Sequence, residues 1–143
     1  LLSRRQPDVY KRQVKDVRVG NAAQTTFAIG GRYRFLRGVY VGIDYSHYAR
    51  NYAKFSFPTM NLDAENVIES PWRMPAYGVL DVNAGYRFSL GKVFGAMVSA
   101  NVNNLLDKEY IADAEDGAKH NEETAKVFYG FGRTFSLNLK IIF

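Results

Sequence analysis

The sequence predicts an all-β protein, an antiparallel sheet of about five long strands cut from a transmembrane β-barrel. Three observations carry this reading. Several stretches alternate apolar and polar side chains over about ten residues or more, the period of a strand with one greasy and one wet face. The connections between them run short, long, short, long, and transmembrane barrels segregate tight turns and long loops to opposite sides in this way. No apolar run approaches the roughly 18 residues of a membrane-crossing helix, so any insertion must use strands.

Composition agrees. Aromatics make up 15% of the 143 residues, with ten Tyr, ten Phe and one Trp, and twelve Gly stand against four Pro, as in a protein of strands and turns. A mean hydropathy of -0.26 is compatible with a barrel, because only alternate residues of a strand touch lipid. With no Cys, disulfides, zinc–thiolate sites and cysteine nucleophiles are excluded. Of the net charge of +5, the first thirteen residues supply +3 through Arg4, Arg5, Lys11 and Arg12 against Asp8, leaving +2 for the rest. No concentrated basic face is left to bind nucleic acid.

Residues 1–13 show neither helical nor strand periodicity, and their R-R-Q-P-D-V-Y-K-R-Q core resembles translated adapter sequence. They are expected to be a non-native or disordered tail, with residues 14–143 forming the barrel strands. Val14 to Ala22 is polar and reads as a loop. From Gln24 to Leu36, Phe27, Ile29, Tyr33 and Phe35 fall on one face and Thr26, Ala28, Arg32 and Arg34 on the other. Two arginines spaced by two cannot both face lipid, so the even face is the wet one. Leu36-Arg37-Gly38 is a tight turn in which Gly38 supplies a positive φ.

Val39 to about Tyr52 alternates again, with Val41, Ile43 and Tyr45 opposite Tyr40, Asp44 and Ser46. A long loop follows, marked by Pro58, Pro71 and Pro75. Tyr77 to Leu90 is the third strand and Phe94 to Asn103 the fourth, joined by a short turn at Gly91-Lys92. After Tyr110, A-D-A-E-D-G-A-K-H-N-E-E-T-A-K reads as a second long loop, its acids solvated. The chain then closes on a strand with Phe135, Leu137, Leu139, Ile141 and Phe143 on one face and Thr134, Ser136, Asn138 and Lys140 on the other. Aromatics fall toward both strand ends: Tyr33, Phe35, Phe88 and Phe94 by the short turns, and Tyr45, Tyr48, Tyr77, Tyr110 and Phe128 by the long loops. Two membrane interfaces would select two such belts.

Two segments resemble a known family. N-V-N-N-L-L-D-K-E-Y from Asn101 to Tyr110, and F-Y-G-F-G-R-T-F-S-L-N-L-K-I-I-F from Phe128 to Phe143, are similar to the closing hairpin of TonB-dependent outer-membrane receptors. Their pattern is N-x-x-N-L-x-D-K-x-Y, followed by G-R-x-[FY] leading into a terminal strand that ends in Phe. The segment Pro71-Trp72-Arg73-Met74-Pro75-Ala76-Tyr77 through Asp81 is similar too. Phe131 stands where the family often has Pro, and Ile141 where a second aromatic is common. The resemblance implies the C-terminal part of a barrel of about 22 strands in the outer membrane of a Gram-negative bacterium. The whole receptor would hold a plug and a segment contacting TonB, and would import a scarce small ligand such as an iron-siderophore, cobalamin or glycan. Lipid and the barrel assembly machinery are the other implied partners, and the terminal register of Phe135, Leu137, Leu139, Ile141 and Phe143 would be the assembly signal.

The residues themselves offer little chemistry. Asn104 and Asp107 suit backbone capping where a strand leaves the sheet. Gly130-x-Gly132-Arg133 reads as a hinge, since no helix follows to hold a phosphate. His47 and His120 lie in distant segments and make no metal site. Ser99 has no neighbouring His to activate it, so neither an enzyme nor a cofactor is expected. Wet-face charges Arg32, Arg34, Asp44, Asp81, Arg87 and Lys140 would pair across strands or with a plug. Trp72 and Tyr110 are the candidate ligand contacts, with rim aromatics as the plainer reading. A passive porin-like barrel and a soluble carbohydrate-binding β-sandwich remain the alternatives.

Overall fold

The computed structural model describes residues 18–54, 70–91 and 94–142. Its strands are β1 (Thr25–Leu36), β2 (Val39–Ala49), β3 (Tyr77–Leu90), β4 (Phe94–Asn103), β5 (Ile111–Glu115), β6 (Lys126–Tyr129) and β7 (Thr134–Ile142). Five of them form one antiparallel sheet in the order β1-β2-β3-β4-β7. Neighbours in the sheet are thus neighbours in sequence, except that β5 and β6 are inserted before β7. The tail over residues 1–13, most of the first long loop and Phe143 lie outside the described residues.

The alternation of the sequence becomes two surfaces because the register holds along the five strands, with an irregularity between Arg34 and Leu36 beside the β1–β2 turn. One row runs Tyr33, Val41, Ala84, Ala100, Leu137, and the row beside it on the opposite face runs Arg32, Gly42, Asn83, Asn101, Ser136. A slip of one residue in any strand would have moved its whole apolar set to the wet side. Gly38, at φ +87, makes the β1–β2 turn, and its carbonyl accepts the Arg87 N–H at 2.8 Å.

The apolar surface is uncovered. Phe135, Leu137 and Leu139 are 73%, 75% and 65% exposed, and β5 and β6 pack against each other but against no other strand. A soluble sandwich would bury this face under a second layer; among the described residues no second layer covers the sheet. A contiguous greasy wall of this kind marks an interaction surface. Among the described residues, the buried apolar side chain of the large sheet is Ala96, while Ala53, Met74 and Ala114 cluster among the long connections.

The second long connection is not an irregular loop, as its composition suggested. Ile111–Glu115 and Lys126–Tyr129 pair antiparallel, with an irregularity between Ile111 and Asp113, so the segment is a separate hairpin, tied to the first long connection through Lys54. Its alternation is short and broken by acidic residues, which hid it. Nor are all the acids solvated: Asp116 is buried, with Oδ1 accepting the Trp72 N–H at 3.2 Å and Oδ2 bonded to His120 Nδ1.

Candidate functional site

At the long-loop end of β4 the chain must leave the sheet and return to it as β7, and one buried side chain organises that junction. Asn104, at φ +50, accepts the Lys108 N–H at 2.9 Å through Oδ1 and donates from Nδ2 to the carbonyls of Lys108 (2.9 Å) and Phe131 (3.2 Å). Its own N–H is held by Asp81 Oδ1 at 2.8 Å. Asp107, also at positive φ, accepts the Arg133 N–H at 2.7 Å. Asparagine and aspartate tolerate the left-handed conformation and bond nearby backbone, which is the capping role their spacing suggested.

This junction lifts Tyr110 over the wet face. The Tyr110 ring stacks on Tyr77 with centroids 4.3 Å apart, and Tyr77 stacks on Tyr48 at 5.0 Å. Beside the three rings lies a cavity of about 320 Å³, also bordered by Ser46, Asp81 and Asn103. The hypothetical Cβ of Gly130 would lie within 2.5 Å of two Tyr110 ring carbons and the phenol oxygen, so glycine lets the chain leave β6 past the ring.

The aromatic belt expected at the long loops therefore divides. Tyr45 stays on the apolar face, in register with Ile29, whereas Tyr48 and Tyr77 face each other on the wet one. The signal was present in the sequence: Tyr48 lies four positions after Asp44, and Tyr77 four before Asp81, so each shares the parity of a wet-face carboxylate.

Above the cleft, the connections form a small packed layer. Ala53 N donates to the Trp72 carbonyl at 2.8 Å, Lys54 N to Ala114 at 2.7 Å, and Met74 N to Asn51 at 2.9 Å. Trp72 is half-buried against Ala53, Met74 and Ala114. Of the two candidate contacts, Tyr110 borders the cleft, while Trp72 is built into the loop layer and is not among its described lining residues.

Along the strand axis the wet face changes character. Below the tyrosines, Asp44 and Asp81 are cross-strand partners, with Asn83 Nδ2 donating to Asp44 Oδ2 at 3.2 Å. Next come Asn101 and Ser136, bonded at 3.1 Å. Toward the short turns lie Arg32, Arg34, Arg87 and Lys140. The cross-strand pairing expected of these charges is absent among the described residues, because acids and bases occupy different rows. Arg32 instead lies 4.7 Å over the Tyr40 ring.

The family model described as TonB dependent receptor-like, beta-barrel matches residues 4–105. The match starts within the tail set aside on its sequence and ends at the junction asparagine and leucine, before the hairpin and β7. No curated protein and no solved structure matches the chain.

Proposed function

Since the chain belongs to the TonB-dependent receptor-like β-barrel family, we propose that it forms part of the wall of an outer-membrane receptor that imports a scarce ligand by energy drawn through TonB. The observation that supports this best is the pair of unbroken faces: an exposed apolar wall across five strands, backed by a polar one. In a transmembrane barrel the first meets lipid and the second lines the lumen. The family is one of transporters, and the described wet face offers binding groups, so the proposed role is recognition and passage.

In this reading the loop layer and the tyrosine cleft lie on the external side, where long loops vary and carry specificity. Tyr110 is a ligand contact and Trp72 a support for the loops that frame it. Strand β7 is an edge of the sheet, with unpaired backbone groups and the exposed register of Phe135, Leu137, Leu139 and Ile141. That edge is the form in which the assembly machinery would receive it, by strand pairing, with Phe143 as the anchor.

The test is ligand uptake by cells expressing the intact receptor, with and without TonB and with the proton gradient collapsed. Uptake that stops in both deprived states supports energised import. Uptake that continues in both would make the barrel a passive pore and sink the proposal.

A further inference from the structure

Among the described residues of the cleft, many polar groups are open and none is a cation. Among the described residues, the hydroxyls of Tyr48, Tyr77 and Tyr110 and of Ser46 have no hydrogen-bond partner. Asp81 spends Oδ1 on the Asn104 N–H at 2.8 Å and keeps Oδ2 open. Asn103 donates from Nδ2 to Thr134 Oγ1 at 3.2 Å and keeps its carbonyl. No lysine or arginine is among the described lining residues; of the wet-face bases, Arg32 lies one wet-face row beyond Asp81, and Arg34, Arg87 and Lys140 lie farther toward the short turns.

Each feature narrows the ligand. A row of hydroxyls and two oxygen acceptors suits a partner that donates and accepts at closely spaced positions. Rings stacked in a row offer the ends of that row to a partner with an apolar ring face. A carboxylate in the wall, with Asp44 as its cross-strand partner, repels an anion. A cavity of about 320 Å³ is at the small end of ligand sites, room for a ring or two rather than a large metal complex.

We infer that the cleft binds an uncharged, hydroxyl-rich ring, a saccharide unit, and selects against anionic metal chelates. Tyr48 and Tyr110 supply the ring-facing surface and phenol hydroxyls, Asp81 Oδ2 accepts from a sugar hydroxyl, and Ser46 and Asn103 bond its neighbours. The inference rests on the reading of this end of the wall as the ligand side of an importer.

The experiment uses the intact receptor in detergent, titrated calorimetrically with neutral malto-, cello-, xylo- and chito-oligosaccharides and with a ferric tris-catecholate. Heat-modifiable migration on gels confirms that each variant is folded. At least one neutral oligosaccharide is expected to bind and the ferric complex is not. Tyr48→Phe and Ser46→Ala should each weaken the sugar roughly threefold to tenfold, the cost of one hydrogen bond. Asp81→Asn, which keeps the acceptor for Asn104, should weaken it about tenfold, since a bond to a charged acceptor is the stronger kind. Binding of the ferric complex that tightens in Asp81→Asn, or no binding by any of the sugars, would overturn the inference. Energised uptake of the ferric complex would do so while leaving the import reading intact; a sugar bound but taken up without TonB would do the reverse.

Discussion

Asn104 Nδ2 and the carbonyl of Phe131, 27 positions apart in sequence, are joined at 3.2 Å, so one buried amide ties the end of β4 to the approach to β7. Replacing Asn104 by Ala removes the partners of the Lys108 N–H and carbonyl and of Phe131 together, and strains a residue at φ +50. Buried backbone groups left unpaired cost about 1–3 kcal/mol each. The intact barrel should lose roughly 2–4 kcal/mol in equilibrium urea unfolding, part of the exposed groups being met by water. Asn104→Asp, which keeps the acceptor, should fall between the two.

The two faces differ in what they tolerate. Val98 and Leu139 are partners on the apolar side and Ser99 and Asn138 on the wet side. Arg at Val98, Leu137 or Leu139 should destabilise a barrel folded into vesicles by about 2–4 kcal/mol if these sites lie near the bilayer midplane. Arg at Ser99 or Asn138 should cost much less. Equal penalties at both sets would mean that the faces are assigned the wrong way round.

Asp116 bridges the two long connections, through the Trp72 N–H and His120. Asp116→Ala should loosen the loop layer without opening the sheet. Limited proteolysis of whole cells would then cut faster between β2 and β3 or within the β5–β6 hairpin, while the barrel keeps its heat-modifiable migration. A lost barrel would show that the loop layer holds up the sheet.

Arg34, Arg87 and Lys140 have no side-chain hydrogen bond or ion pair with described residues, so removing one charge should relieve repulsion rather than break a contact. Arg87→Gln is expected to change unfolding free energy by no more than about 0.5 kcal/mol. It should also make stability less dependent on salt, which screens like charges. A loss well beyond that figure would reveal a partner in the intact protein.

Deleting Phe143 from the intact receptor should lower the amount of assembled barrel while leaving the ligand affinity of the surviving molecules unchanged, because Ile142 before it ends β7 opposite Gly95, at the short-turn end, and the cleft lies at the other. Normal assembly with weakened binding would contradict the role given to the β7 register.

The sequence by itself determined the five strands of the large sheet, their faces and the alternation of short and long connections, but not the β5–β6 hairpin. Those depend on side-chain period and on local turn chemistry, as at Gly38, and both are written in neighbouring residues. Asn104 and Asp107 were legible as caps for the same reason, their bonds being mostly to backbone close in sequence. Only the tertiary structure decided what meets across the sheet. The Tyr48, Tyr77 and Tyr110 stack joins three segments, and its members become neighbours only when register and the lift of the β4 exit are both set. Trp72 went into a loop core because Ala114 and Asp116, more than forty positions on, fold back over it. The charges of the wet face read as a mixture along the chain, yet strand pairing sorts them into rows, since register places residues by their distance from the turns and not by their order in sequence.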